Sequence, residues 1–136
     1  MKKAYYILFV LLGLIPASFL LFMILASGIF GFALSGKIIY FVEMLLGISG
    51  YLGFLSLLRG LKEQYYKLNL ILLGLGLFGF NMFLFFDEEM AGVCKRMLSG
   101  ERNVDEWLLV FLLPNIVSLF FIIFISIKLY DHRNKK

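Results

Sequence analysis

Cysteine and histidine are nearly missing from this chain: Cys94 and His132 are single occurrences in 136 residues. A lone cysteine excludes an intrachain disulfide, and one cysteine with one histidine in a polar tail supports neither a zinc site nor a Cys/His catalytic pair. No metal and no cofactor is therefore expected. Charge is scarce too, at 16% of residues, and it is confined to short segments between long uncharged runs. The signatures of hydrolytic chemistry are also missing. There is no HExxH, no GxSxG and no close pair of carboxylates within an apolar run, and the segments between runs are too short for a catalytic domain. The expectation is a protein that is not an enzyme.

What is present is apolar surface. Hydrophobic residues make up 62% of the chain and the mean hydropathy is +0.94, well outside soluble usage. A bilayer core about 30 Å thick needs roughly 20 residues of helix, and in lipid only helices and closed barrels satisfy their backbone polar groups. Four runs have that length, at about 4–26, 38–58, 68–86 and 107–127, and none shows the two-residue alternation of a barrel strand. They predict an all-α integral membrane protein, a single domain of four transmembrane helices in an antiparallel bundle. The first uncharged stretch continues to Gly36, and Ser27, Gly28, Gly31, Ser35 and Gly36 supply turn chemistry, so residues 27–36 are expected to form a loop. Met1-Lys2-Lys3 before an apolar run resembles the start of a signal peptide. The run from Ala4 to Ala26 is too long for a signal h-region, which favours an uncleaved signal anchor.

Charge gives the orientation. With the N-terminus inside, the cytoplasmic segments carry Lys2, Lys3, Arg59, Lys62, Lys67, Lys128, Arg133, Lys135 and Lys136, and the outer segments only Lys37, Lys95, Arg96 and Arg102. Short basic segments resist translocation, so both termini are expected in the cytoplasm. Asp87, Glu88, Glu89, Glu101, Asp105 and Glu106 fall on the outer side. Aromatic residues mark the same boundaries, with Tyr5, Tyr6, Tyr65, Tyr66 and Tyr130 inside and Tyr40 and Trp107 outside. The net charge of +4 is thus a topology signal aimed at anionic headgroups, and nucleic acid is not an expected partner. Compactness and the Lys-Lys start point to a bacterial inner membrane.

Residues 59–67 make a short connection, so the second and third helices are expected to pair as a hairpin. Ser49, Gly53, Ser56 and Gly60 recur on one face of the second helix, and Gly74, Gly76 and Gly79 punctuate the third. Pairing residues symmetrically about position 63 places Gly53 near Leu73 and Gly50 near Gly76. Small residues at such crossings let backbones approach in lipid. Gly74-Leu75-Gly76-Leu77-Phe78-Gly79 matches GxGxxG, but it lies inside an apolar helix with no preceding strand or βαβ unit, so dinucleotide binding is rejected.

Glu43 is the one charged residue within a run. An acid there is costly unless it is paired, protonated or facing water. Its depth from the outer boundary is similar to that of Asn81 and Asn115, the latter next to Pro114, so an intramembrane polar cluster of Glu43, Asn81 and Asn115 is expected. Such a cluster either fixes helix register or forms a proton or cation site. Tyr51, at mid-depth, also needs a partner for its hydroxyl. In the outer connection, Met90, Val93, Cys94, Met97 and Leu98 fall at helical spacing, which predicts a short interfacial helix ended by Ser99-Gly100. Met90, Val93, Met97 and Leu98 form a candidate interaction segment. Asn103 and Glu106 have capping-box spacing at the start of the fourth helix.

Two function classes follow. The first is a non-enzymatic protein that acts through contact with a membrane protein partner, such as an immunity protein against a membrane-acting toxin or an accessory subunit of a membrane complex. The second is a small homo-oligomeric ion or proton channel or transporter built on Glu43. The absence of a second intramembrane charge or an internal repeat favours the first.

Overall fold

The computed structural model describes residues 3–86, 95, 99–100 and 107–134. Its elements are α1 (Lys3–Ser35), α2 (Ile38–Leu58), a single 3-10 turn (Glu63–Tyr65), α3 (Tyr66–Phe86) and α4 (Trp107–Asn134). Among the described residues, four helical segments are long and apolar enough to cross a membrane: Lys3–Ser35, Ile38–Leu58, Glu63–Phe83 and Leu112–Asn134.

The bounds expected for α2 hold at both ends, and α3 begins two residues earlier than expected. The expected loop at 27–36 does not form, because α1 runs through it as helix to Ser35. Gly28 and Gly31 are not turn residues here. A Cβ on Gly28 would collide with Met44, and one on Gly31 would lie 2.7 Å from the Tyr40 ring, so both glycines admit α2 side chains against the α1 backbone. Ser35 Oγ donates to Gly31 O at 2.6 Å, and the turn itself shrinks to Gly36 and Lys37. Gly36 has φ +64 and its N–H bonds Phe32 O at 2.8 Å, a left-handed helix stop that a side chain would strain.

At 33 residues, α1 is about 50 Å long, against about 32 Å for a 21-residue helix. Yet α1 meets α2 near both ends, through Tyr6 with Leu57 and Gly31 with Tyr40. Pro16 lies within α1 and removes the N–H that would bond Leu12 O. Ser18 Oγ bonds back to Leu14 O at 2.9 Å in the same turn, a contact that bends helices further.

The tightest seam joins α2 and α3. A Cβ on Gly50 would stand 2.5 Å from Gly76 Cα, one on Gly53 would stand 3.1 Å from Leu73 Cδ2, and one on Gly79 would strike Leu46. The first two are the pairs that symmetry about position 63 anticipates, and all three run in opposite order along the two helices. The contact face of α2 matches the expected one in part: Gly53 and Ser56 meet α3 at Leu73 and Asn69, joined by Gly50, whereas Ser49 bonds its own helix at Leu45 O and a Cβ on Gly47 would face Ile24 and Leu21 of α1. Gly74 has nothing within 4 Å of its would-be Cβ and takes no part. Val10, Leu14, Ala17, Leu20 and Ile24 of α1 complete the core with Val117, Phe121 and Ile125 of α4. Within lipid such a core is held by dispersion and close packing, because a side chain leaving it meets hydrocarbon and not water.

Candidate functional site

The polar groups inside the bundle lie at three levels. In one, Asn81 Nδ2 donates to Leu77 O at 2.7 Å and also reaches Asn115 Oδ1 at 3.4 Å. These two members of the expected cluster are thus side by side, on α3 and α4. Glu43 is buried on α2, 4% exposed. The pairs Gly53–Leu73, Gly50–Gly76 and Leu46–Gly79 put Glu43 opposite Phe83, within about one helical turn of the Asn81 level. Helical rise thus places all three polar residues in the same slab of the bundle.

The bond from Asn81 to Asn115 is long for N–H···O, while the one from Asn81 to its own helix is short. Asn81→Leu is therefore expected to cost no more than about 1 kcal/mol, in the range of interhelical hydrogen bonds in membranes. A reversible unfolding titration in mixed detergent micelles measures it. A loss of several kcal/mol would show that the pair carries helix association.

A second level lies at mid-depth, where the Tyr51 hydroxyl finds its partner. Ser18 Oγ on α1 is 3.3 Å from Tyr51 Oη. The third level, near the end of the α2–α3 hairpin, holds residues that sequence reasoning did not single out as a site. Tyr6 Oη donates to Leu57 O at 2.8 Å, tying the start of α1 to the last turn of α2. Ser56 Oγ is 2.7 Å from Gly53 O and 2.5 Å from Asn69 Oδ1. Asn69 is 1% exposed and its Nδ2 has no hydrogen-bond partner. Symmetry about position 63 sets Ser56 opposite residue 70, one step from Asn69. That signal was available, but Asn69 sits so near the start of α3 that it passes for an interfacial residue.

In the connection between α3 and α4, Met90, Val93, Met97 and Leu98 lie outside the described residues, as do Cys94, Asn103 and Glu106. Lys95 is helical and exposed, Ser99 N bonds Lys95 O at 3.0 Å, and Gly100 has φ +73. Among the described residues no three His, Cys, Asp or Glu side chains gather to hold a metal ion. Compared with protein-family models, curated proteins and solved structures, the chain matches none.

Proposed function

We propose that this is a non-enzymatic, polytopic inner-membrane protein that acts by contact with another membrane protein, as an immunity protein or an accessory subunit does. In this reading the four spans form an antiparallel bundle, the two termini and the α2–α3 hairpin lie in the cytoplasm, and the outer surface carries the 90–98 segment. One observation carries the preference for contact over conduction through a single chain: its interior is filled by the large side chains of Phe54, Phe80, Phe83 and Phe121, each at most 2% exposed. A polar path through one bundle would have to displace them. Two polar contacts between helices, Asn81 with Asn115 and Tyr6 with Leu57, suit a register-fixing role.

A native pull-down in mild detergent tests this reading with wild type, Glu43→Gln and a chain in which residues 90–98 are replaced. The expected result is one stoichiometric membrane partner, retained by Glu43→Gln and lost with the segment replacement. Loss with Glu43→Gln alone would move recognition into the bundle. A homo-oligomer with no partner that conducts ions in liposomes, and loses conduction on Glu43→Gln, would overturn the reading in favour of a channel.

A further inference from the structure

A cavity of about 300 Å³ opens at the α2–α3 hairpin, lined by Ser56, Arg59, Gly60, Lys62, Tyr65, Leu68 and Asn69. Its volume is at the lower end of small-molecule sites. Three observations bear on what it holds. Two cations border it and no carboxylate does. The hairpin's one acid, Glu63, does not line this cavity; it lies 3.7 Å from His132 Nδ1 beside a different depression. Asn69, buried in the same wall, has an amide nitrogen with no acceptor. Asn69 Oδ1 faces Ser56 Oγ, and Asn69 Nδ2 is the buried donor left without an acceptor.

We propose that this cavity is a phosphate-binding site. An orphan donor, a guanidinium and an ammonium around one opening are a donor set without an acceptor, and the group that completes it is a compact anion with several oxygens. Arg59 can present two parallel N–H groups to such an anion, Lys62 a point charge and Tyr65 a hydroxyl. Gly60 has φ +93 and nothing within 4 Å of its would-be Cβ, so the chain turns there without a side chain entering the opening. The place in the fold suits a headgroup. Tyr6 and Leu57 bring the start of α1 to this end, Glu63 and His132 bring the end of α4, and basic pockets between spanning helices are where anionic lipid phosphates settle. A free phosphate ion or monoester would satisfy the same donors.

The test uses the full chain purified in neutral detergent, with short-chain phosphatidylglycerol, phosphatidylcholine and inorganic phosphate offered separately at matched ionic strength. Lipid retained per chain is counted by native mass spectrometry, and the melting temperature is followed in parallel. The expected result is one phosphatidylglycerol per chain, a raised melting temperature, and at least tenfold weaker retention in Arg59→Gln/Lys62→Gln. The control Lys67→Gln/Lys128→Gln removes the same charge away from the cavity and should stay within twofold of wild type. Asn69→Leu should weaken retention at least threefold. If it fails to fold, the charge variants, which change exposed or half-exposed positions, still decide. Stabilisation by inorganic phosphate that depends on Arg59 and Lys62 also supports the site and assigns it to a free phosphate. Equal losses in the two double variants would reduce the binding to general surface attraction and overturn the proposal, as would retention of phosphatidylcholine as strong as that of phosphatidylglycerol.

Discussion

Gly76→Leu is expected to part α2 from α3 and leave little folded protein in mild detergent. A Cβ at position 76 would overlap Gly50 Cα and stand 2.9 Å from Gly50 N, so the obstacle is backbone and not a side chain that can turn away. Even Gly76→Ala must push the helices apart along the seam that also joins Gly53 to Leu73 and Gly79 to Leu46. Overpacking a well-filled core costs about 1–3 kcal/mol, and a backbone contact sits at the upper end because relief requires moving a whole helix. Gly50→Ala should cost a similar amount. The double variant should cost less than the two single losses combined, because helices already separated by the first Cβ have room for the second. Gly74→Ala is the matched control: the same change in the same helix, with nothing within 4 Å. It should be neutral or slightly stabilising, since alanine is the better helix former. The measurement is the detergent composition at half-unfolding. If Gly76→Ala and Gly74→Ala unfold together, the two backbones do not meet as described.

The pairing that makes this prediction was legible before any coordinates, because a short hairpin allows few registers and the glycines then fall opposite one another. Spans were legible for a related reason: length and hydropathy follow from bilayer thickness, and α2 runs over the expected Ile38–Leu58. Glycine read alone was misleading. In water, Ser27, Gly28, Gly31 and Gly36 suggest a turn, but backbone groups in a low-dielectric setting are satisfied most cheaply by continuing the helix. Gly28 and Gly31 are used for close approach, and of these three glycines Gly36 alone takes a positive φ. Helical phase was the other gap. Ser49 and Gly74 have the right residue types and point elsewhere, which spacing alone could not reveal. The depth of Asn81 and Asn115 brought them to one level, whereas Asn69, whose Nδ2 has no hydrogen-bond partner, had to be seen packed under the hairpin.

Phe121→Ala is expected to be nearly as damaging as the glycine substitutions, at the opposite seam. Phe121 is fully buried on α4, with its ring 5.7 Å from Tyr6 at 83° and 5.7 Å from Phe9 at 51°. A buried Phe→Ala change costs about 3–5 kcal/mol in soluble proteins. In a bilayer the transfer part of that cost largely falls away, and the cavity and lost dispersion contacts leave about 2–3 kcal/mol. Phe120→Ala separates the two contributions. Phe120 meets Phe9 edge-on at 4.9 Å and Phe121 at 5.6 Å and lies parallel to Phe124 at 6.2 Å, but it is 44% exposed, so it should cost only ring pairing and leave no void, about 0.5–1.5 kcal/mol per pair at most. Comparable losses would mean that stacking, and not void formation, holds α1 to α4. The damage should also travel. Phe121 packs on Tyr6, Tyr6 Oη holds Leu57 O, and the turn that follows Leu57 presents Arg59 and Gly60 to the hairpin cavity. Phe121→Ala should therefore weaken phosphatidylglycerol retention by a few fold even under conditions where the chain stays folded, and Phe120→Ala should not. Tyr6→Phe, which keeps the ring and deletes the hydroxyl, tells whether that influence passes through the hydrogen bond or through packing alone.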